Sequence, residues 1–262
     1  MRARALLNLA LLLAALLLGW WVYREVRSDG AENRVSTRDR ATVRSIVVER
    51  GGEAVLELER GADGRWRLLR PRPLPASEPH VDMLLRFLAL PAERLPNGER
   101  LDRAVLGLAA PKTVLRFDDE RFAFGDLESI SGRRYVLRGD QVLLLAEGVS
   151  ALAAGPWWNF IDRRLLPPGA QVAAVETADG RRYLAEHHRV LAARWEEASA
   201  SVVKPLRPGV TGADLYVVLE SGERLHWQVV EGDQPRLLRP DLGLAYHVSA
   251  DTLAVLSARR AE

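Results

Sequence analysis

Apolar and polar positions divide the chain into an opening greasy run, a short polar stretch and a long β-patterned remainder. From Ala5 to Tyr23, nineteen residues carry no charge, with arginines on both sides and Trp20, Trp21 and Tyr23 at the far edge. As a helix the run reaches roughly 28 Å, close to the hydrocarbon thickness of a bilayer, and its aromatics suit a headgroup interface. It predicts a transmembrane anchor over residues 5–23 behind a cytoplasmic tail of residues 1–4. A cleaved secretory signal is the competing reading, since Arg2 and Arg4 give a basic start. The run exceeds a usual signal core, however, and bulky Trp20, Trp21, Val22 and Tyr23 follow Gly19 where a small-x-small site would be needed. Residues 24–42 are polar and lack apolar period, so they read as a juxtamembrane linker.

Period-2 patterning begins at Val43. VRSIVVER and EAVLELER flank Gly51-Gly52, a hairpin signal, and the turn Gly61 to Gly64 leads into RWRLLR. These three runs predict a meander. Ser77 then caps a helix whose apolar positions Val81, Leu84, Leu85 and Leu88 follow the i, i+3, i+4, i+7 rule, and the helix is expected to cover the meander. LDRAVLGL reads as a short helix, TVLRF, RFAFGD, RRYVLR and QVLLLA as strands, and GVSALAAG as a brief helix stopped at Gly155-Pro156. The next stretch, PWWNFIDRRLLPPG, is too apolar for a flexible linker and predicts a packed bridge.

The second half echoes the first. QVAAVET, RRYLAEHH and VLAARWEE match the opening meander, and Val175 lies as far from Trp195 as Ile46 lies from Trp66. ADLYVVLES, ERLHWQVVEG, PRLLRP, GLAYHVS and a closing helix DTLAVLSARR parallel the later strands. The fold class expected is α+β: a transmembrane helix, then two tandem, related units of short antiparallel sheets with few covering helices. The first unit spans 43–155, the bridge 156–170 and the second unit 171–262.

Charge narrows the function classes. The chain has 37 basic and 35 acidic residues. With Arg2, Arg4, Arg24, Arg27, Glu25 and Asp29 set aside the two signs balance, which gives no nucleic-acid prior. All basic residues except Lys112 and Lys204 are Arg, a bias better ascribed to a GC-rich genome than to phosphate chemistry. The absence of cysteine excludes a lipoprotein anchor, thiol nucleophiles and thiolate metal sites. Arg2, Arg4 and the terminal amine on one side face Arg24 and Arg27 on the other, a small margin that orients the amino terminus to the cytoplasm and places the bulk of the chain outside a bacterial inner membrane.

No phosphate loop, G-x-G-x-x-G turn, H-E-x-x-H or G-x-S-x-G is present, so no catalytic residue, cofactor or metal is expected. Glu186-His187-His188 is the nearest thing to a ligand cluster, but adjacent strand residues face opposite ways. His226 and His247 read as sheet residues with polar tips. Asp118, Asp119 and Glu120 form a turn, whereas a hydrolytic carboxylate pair must converge from separate places. The candidate partner-binding residues are Trp157, Trp158, Phe160, Arg163 and Arg164. Against that stands packing of the aromatics in a seam between the units, and an intramolecular pair with Asp162.

The N-terminal run, GRWRLLRP, PLPASEPHVDMLL, LGLAAPKTVLRF, SGRRYVLRGDQVLLL and FIDRRLLP together resemble the bacterial domain-of-unknown-function family numbered 4340. Ala109-Ala110 departs from the more acidic or proline-rich pair common there. The resemblance implies a membrane-tethered envelope protein, loosely associated with ABC-type transport systems akin to those of gliding motility; no activity is established for the family. The expected function is thus a single-pass, membrane-anchored exported binding or scaffolding module with an envelope protein partner. An envelope hydrolase, or a lipid- or carbohydrate-binding protein with a cleft between the units, is the alternative. A purely structural tether spacing the membrane from another envelope layer is a third reading.

Overall fold

The computed structural model describes residues 16–20, 33–96, 100–146 and 148–258. Its strands are β1 (Ser45–Arg50), β2 (Glu53–Arg60), β3 (Trp66–Arg70), β4 (Leu74–Pro75), β5 (Glu93–Arg94), β6 (Thr113–Phe117), β7 (Glu120–Leu127), β8 (Arg134–Arg138) and β9 (Gln141–Leu145), followed by β10 (Val172–Thr177), β11 (Arg182–Leu184), β12 (Val202–Pro205), β13 (Ala213–Leu219), β14 (Arg224–Val230), β15 (Arg236–Arg239) and β16 (Leu244–His247). The α-helices are α1 (Glu78–Leu85), α2 (Val149–Ala154), α3 (Arg189–Glu197) and α4 (Ala250–Leu256). Two compact units divide the chain: residues 1–73 with 79–155, and residues 74–78 with 156–262.

The first unit's sheet runs β3-β2-β1-β6-β7-β8-β9-β5, with every neighbouring pair antiparallel. Both faces are covered, which explains the unbroken apolar run in β9. On one face Val114, Ala123, Leu137 and Val142 pack with Leu108. On the other, Phe87 meets Phe117, Phe122 and Phe124 at ring separations of 6.1, 5.0 and 5.6 Å. Phe87 lies in the 3-10 turn Arg86–Ala89 that extends α1, so this end of the helical segment covers β6 and β7. The stripe Val81, Leu84, Leu85 and Leu88 is buried.

The second unit's sheet runs β11-β10-β13-β14-β15-β16-β12, again wholly antiparallel. Its core is built on Trp227, whose ring lies 5.6 Å from Trp195 and 5.3 Å from Tyr246. The Trp195 indole Nε1 donates to the Leu256 carbonyl over 3.0 Å, satisfying a carbonyl at the last turn of α4.

The expected fold class is corrected. The described chain is mostly antiparallel sheet with few helices, and among the described residues no helix is long and apolar enough to cross a membrane. Of the run 5–23, residues 16–20 are helical with Leu16, Leu17, Leu18 and Trp20 exposed, and the rest lies outside the described residues. Apolarity and run length measure an affinity for lipid; they do not by themselves establish a helix of spanning length.

Three local expectations also change. VLAARWEE is α3 instead of a third meander strand, because its buried Leu191, Ala192 and Trp195 share a helical face and its Ala, Leu, Arg and Glu residues favour helix. The equal spacing thus joins two strand residues, Ile46 and Trp66, in the first unit but a strand residue, Val175, to a helix residue, Trp195, in the second. LDRAVLGL forms tight turns: Leu108 N donates to Arg103 O over 2.7 Å, and Gly107 takes a φ of 68°. Residues 33–42 of the expected linker pack against the first unit. Val35 and Ser36 are buried and their amides donate to Leu90 O and Leu88 O, each over 2.9 Å.

Candidate functional site

The bridge residues sit in the second unit. Trp157 to Phe160 form a 3-10 turn in which Trp157 and Trp158 are half-buried, with their rings 5.9 Å apart and edge to face. Phe160 is fully buried, so it serves the core and offers a partner no surface. Its carbonyl accepts from Ser77 N over 2.8 Å, and Asp162 N donates to Pro75 O over 2.9 Å, so residues 74–78 run alongside the turn. Arg163 presents its carbonyl to Ala200 N over 2.8 Å. Arg164 donates Nε to Asp162 Oδ2 over 2.9 Å, and that bond holds the guanidinium above its usual pKa against the opposing effect of burial. The guanidinium that could have met a partner is thus already bonded within the chain.

The other motifs are also consumed internally. The turn Asp118, Asp119 and Glu120 closes around Arg38, whose Nη1 lies 3.0 Å from Asp118 Oδ2 and whose Nε lies 3.3 Å from Glu120 Oε1; Asp119 takes Nη2. Asp118 Oδ1 also accepts from Ser45 N over 2.8 Å, and Ser36 Oγ donates to Glu120 over 2.7 Å. His187 pairs with Glu186 over 3.3 Å, while the His188 ring packs 5.1 Å from Tyr183. His226 bonds Asp214 over 2.9 Å on β14; His247 lies on β16, with β15 between the two strands. Among the described residues no group of three or more His, Cys, Asp or Glu is placed to hold a metal ion. A cleft of about 380 Å3 opens near the end of α3, lined by Arg194, Glu197, Ser199, Asp251, Thr252 and Leu256.

One feature of the first unit was not anticipated from sequence. The β7–β8 connection presents Ile130 at 94% exposure beside Leu127 at 48%, in a turn fixed by its own hydrogen bonds. Glu128 N donates to Arg133 O over 2.6 Å and Gly132 N to Glu128 O over 2.9 Å. The Ser131 hydroxyl and amide both bond the Glu128 carboxylate and hold it below its usual pKa. The 103–108 turn, which carries Val105 at 76% exposure, docks at the same end of β7 through a 2.9 Å bond from Asp126 N to Leu106 O. Gly125 permits that approach, since a Cβ there would stand 2.3 Å from Leu106 O. Val105 and Ile130, on two turns held by backbone bonds, and Leu127, at the end of β7, are thus three exposed aliphatics at the same end of the sheet, its apex. The signal available in the sequence is one large aliphatic, Ile130, set among the turn residues of ESISGRR.

Comparison with protein-family models, with curated proteins and with solved structures gives no match.

Proposed function

We propose that the chain is a binding and scaffolding module of the bacterial envelope, accessory to an ABC-type transport complex, and that it engages a protein subunit of that complex through the apex formed by Val105, Leu127 and Ile130. The observation that carries the proposal is the exposure of Ile130 on an internally braced turn. A side chain carried on backbone already held in place costs little backbone freedom when a partner covers it, which is the physical advantage of a preorganised turn. Exposed aliphatics scattered singly are ordinary, but three gathered at one end of a sheet resemble the apolar centre of an interface. The motif resemblance supplies the transport association.

Site-specific photo-crosslinking from position 130 in intact cells tests this, with exposed Val190 in the second unit as the control position. The expected result is a crosslink from position 130 to a permease or ATPase subunit, lost in the Leu127→Asp variant and not seen from position 190. Equal crosslinking from both positions, or none from position 130, would overturn the proposal.

A further inference from the structure

Four basic residues of the second unit line one small pocket. Strand pairing assembles them from distant parts of the chain. Arg236 on β15 lies directly opposite His247 on β16, and β12 flanks β16 on its other side with Lys204 opposite Ala245. Lys204 is thereby the diagonal neighbour of His247, at a backbone separation of about 7–8 Å. Arg207 follows in the turn after β12, which is tied down by a 2.9 Å bond from Leu206 N to Gly243 O. These four residues and Gln234 line a pocket of about 80 Å3, and among the described residues no Asp or Glu lines it. A cavity needs about 10–15 Å3 to admit one water, so this space takes a few waters or one small oxyanion.

One buried donor of the pocket is left unsatisfied, and its cations crowd one another. Arg236 Nε is buried and has no hydrogen-bond partner among the described residues. A desolvated guanidinium N–H facing no acceptor is costly, and almost all such groups in folded proteins find one. Burial and the neighbouring Lys204 and Arg236 charges together push the His247 imidazole below its ordinary pKa. Like charges gathered in a groove with partly buried walls raise the local potential and draw anions in.

We propose that Lys204, Arg207, Arg236 and His247 form a binding site for a tetrahedral oxyanion: phosphate, sulfate or the phosphoryl group of a larger ligand. Arg236 supplies a directed donor from the sheet surface, Lys204 and Arg207 supply mobile cations at the rim, and His247 closes the floor opposite Arg236. Gln234 adds an amide donor. The geometry suits an anion of single-group size, and the absence of a carboxylate in the lining disfavours a metal ion there.

The test is calorimetric titration of the purified full chain with sodium sulfate and with inorganic phosphate, accompanied by NMR detection of the His247 ring. One saturable site that shifts the His247 signals is expected. Arg236→Gln and Lys204→Gln should each weaken binding by about tenfold or more, the scale of one lost hydrogen bond to a charged group. Arg133→Gln, on the apex of the first unit, should bind as the unaltered chain does. Lys204 is exposed, so its variant keeps the test available if Arg236→Gln does not fold. Flotation with phosphatidylglycerol vesicles against phosphatidylcholine vesicles separates the sources: Lys204-dependent flotation on the former points to a lipid headgroup, and free-anion binding without flotation to a soluble ligand. Absence of any saturable site, or binding unchanged in both Arg236→Gln and Lys204→Gln, would overturn the proposal.

Discussion

The Arg38 cluster of the first unit and the Arg236 groove of the second are both built from charged side chains at the margin of a sheet, and they differ in whether the charge is answered. Arg38 meets three carboxylates from one turn, and Arg138 adds a second guanidinium 3.5 Å from Glu120. Arg236 meets His247 across the ladder, Lys204 beyond it, and an unfilled donor position. A saturated cluster is architecture: it fastens residues 33–44 to the first sheet and leaves nothing over for a ligand. An unsaturated one costs the fold something and has capacity to spare, which is the usual physical mark of a site.

The largest expected effect follows from removing the fastener. Arg38→Met leaves Asp118, Asp119 and Glu120 facing one another without their shared cation, with Glu120 only 17% exposed at its side chain. A loss of about 2–3 kcal/mol in unfolding free energy is expected by chemical denaturation, the cost of breaking a partly buried charged network. A loss below about 0.5 kcal/mol would place the cluster among ordinary surface pairs and break the contrast between the two regions.

Much of the β-scaffold was legible because turns announce themselves. Gly51-Gly52, Asp118-Asp119 and Gly139-Asp140 mark hairpins, and all of these residues except Asp119 and Asp140 take positive φ. Asp118 does so at 52° without being glycine, and its carboxylate accepts from the Ser45 amide, the local bonding that lets Asp enter this region. The helical stripe of α1 was legible for a similar reason. Phe87 was not, since it falls outside the stripe and its burial is decided by three phenylalanines on β6 and β7. Strand β12 hid behind Pro205 at its end and its shortness. The same tertiary dependence hid the basic groove: positions 204, 236 and 247 meet only once β12, β16 and β15 pair, and no periodicity records that. The apex escaped notice because one isoleucine in a polar turn reads as noise until the turn's bonds are known.

Arg236 sharpens the contrast from the other side. If its charge is unanswered, Arg236→Met should leave stability unchanged or raise it by up to about 1 kcal/mol in anion-free buffer, because an isosteric apolar chain removes an unsatisfied donor. In saturating sulfate the order should reverse, with the unaltered chain gaining stability that the variant does not. Thermal melts with and without sulfate check both. Destabilisation by Arg236→Met as large as that by Arg38→Met would mean that the groove, too, is a structural network.

The smallest effect lies in pH. His247 titrates in the folded state below its ordinary value of 6.5, so the folded protein binds fewer protons than the unfolded chain across that interval. Stability from this group is complete above pH 6.5 and declines as pH falls through the lower, folded value. The groups facing it are Lys204 on β12, Arg236 on β15 and Arg207 in the turn after β12, all cationic, so among the described residues no neighbour in the pocket lining favours the imidazolium. A bound oxyanion supplies that missing charge. Sulfate, which does not itself titrate in this range, should therefore bind more tightly as pH falls below 6.5, and in its presence the decline in stability should flatten. His247→Gln should remove both the slope and its sulfate dependence while retaining binding through Lys204 and Arg236. A decline in stability that sulfate does not alter would show that His247 is merely crowded by cations, without any ligand completing the groove.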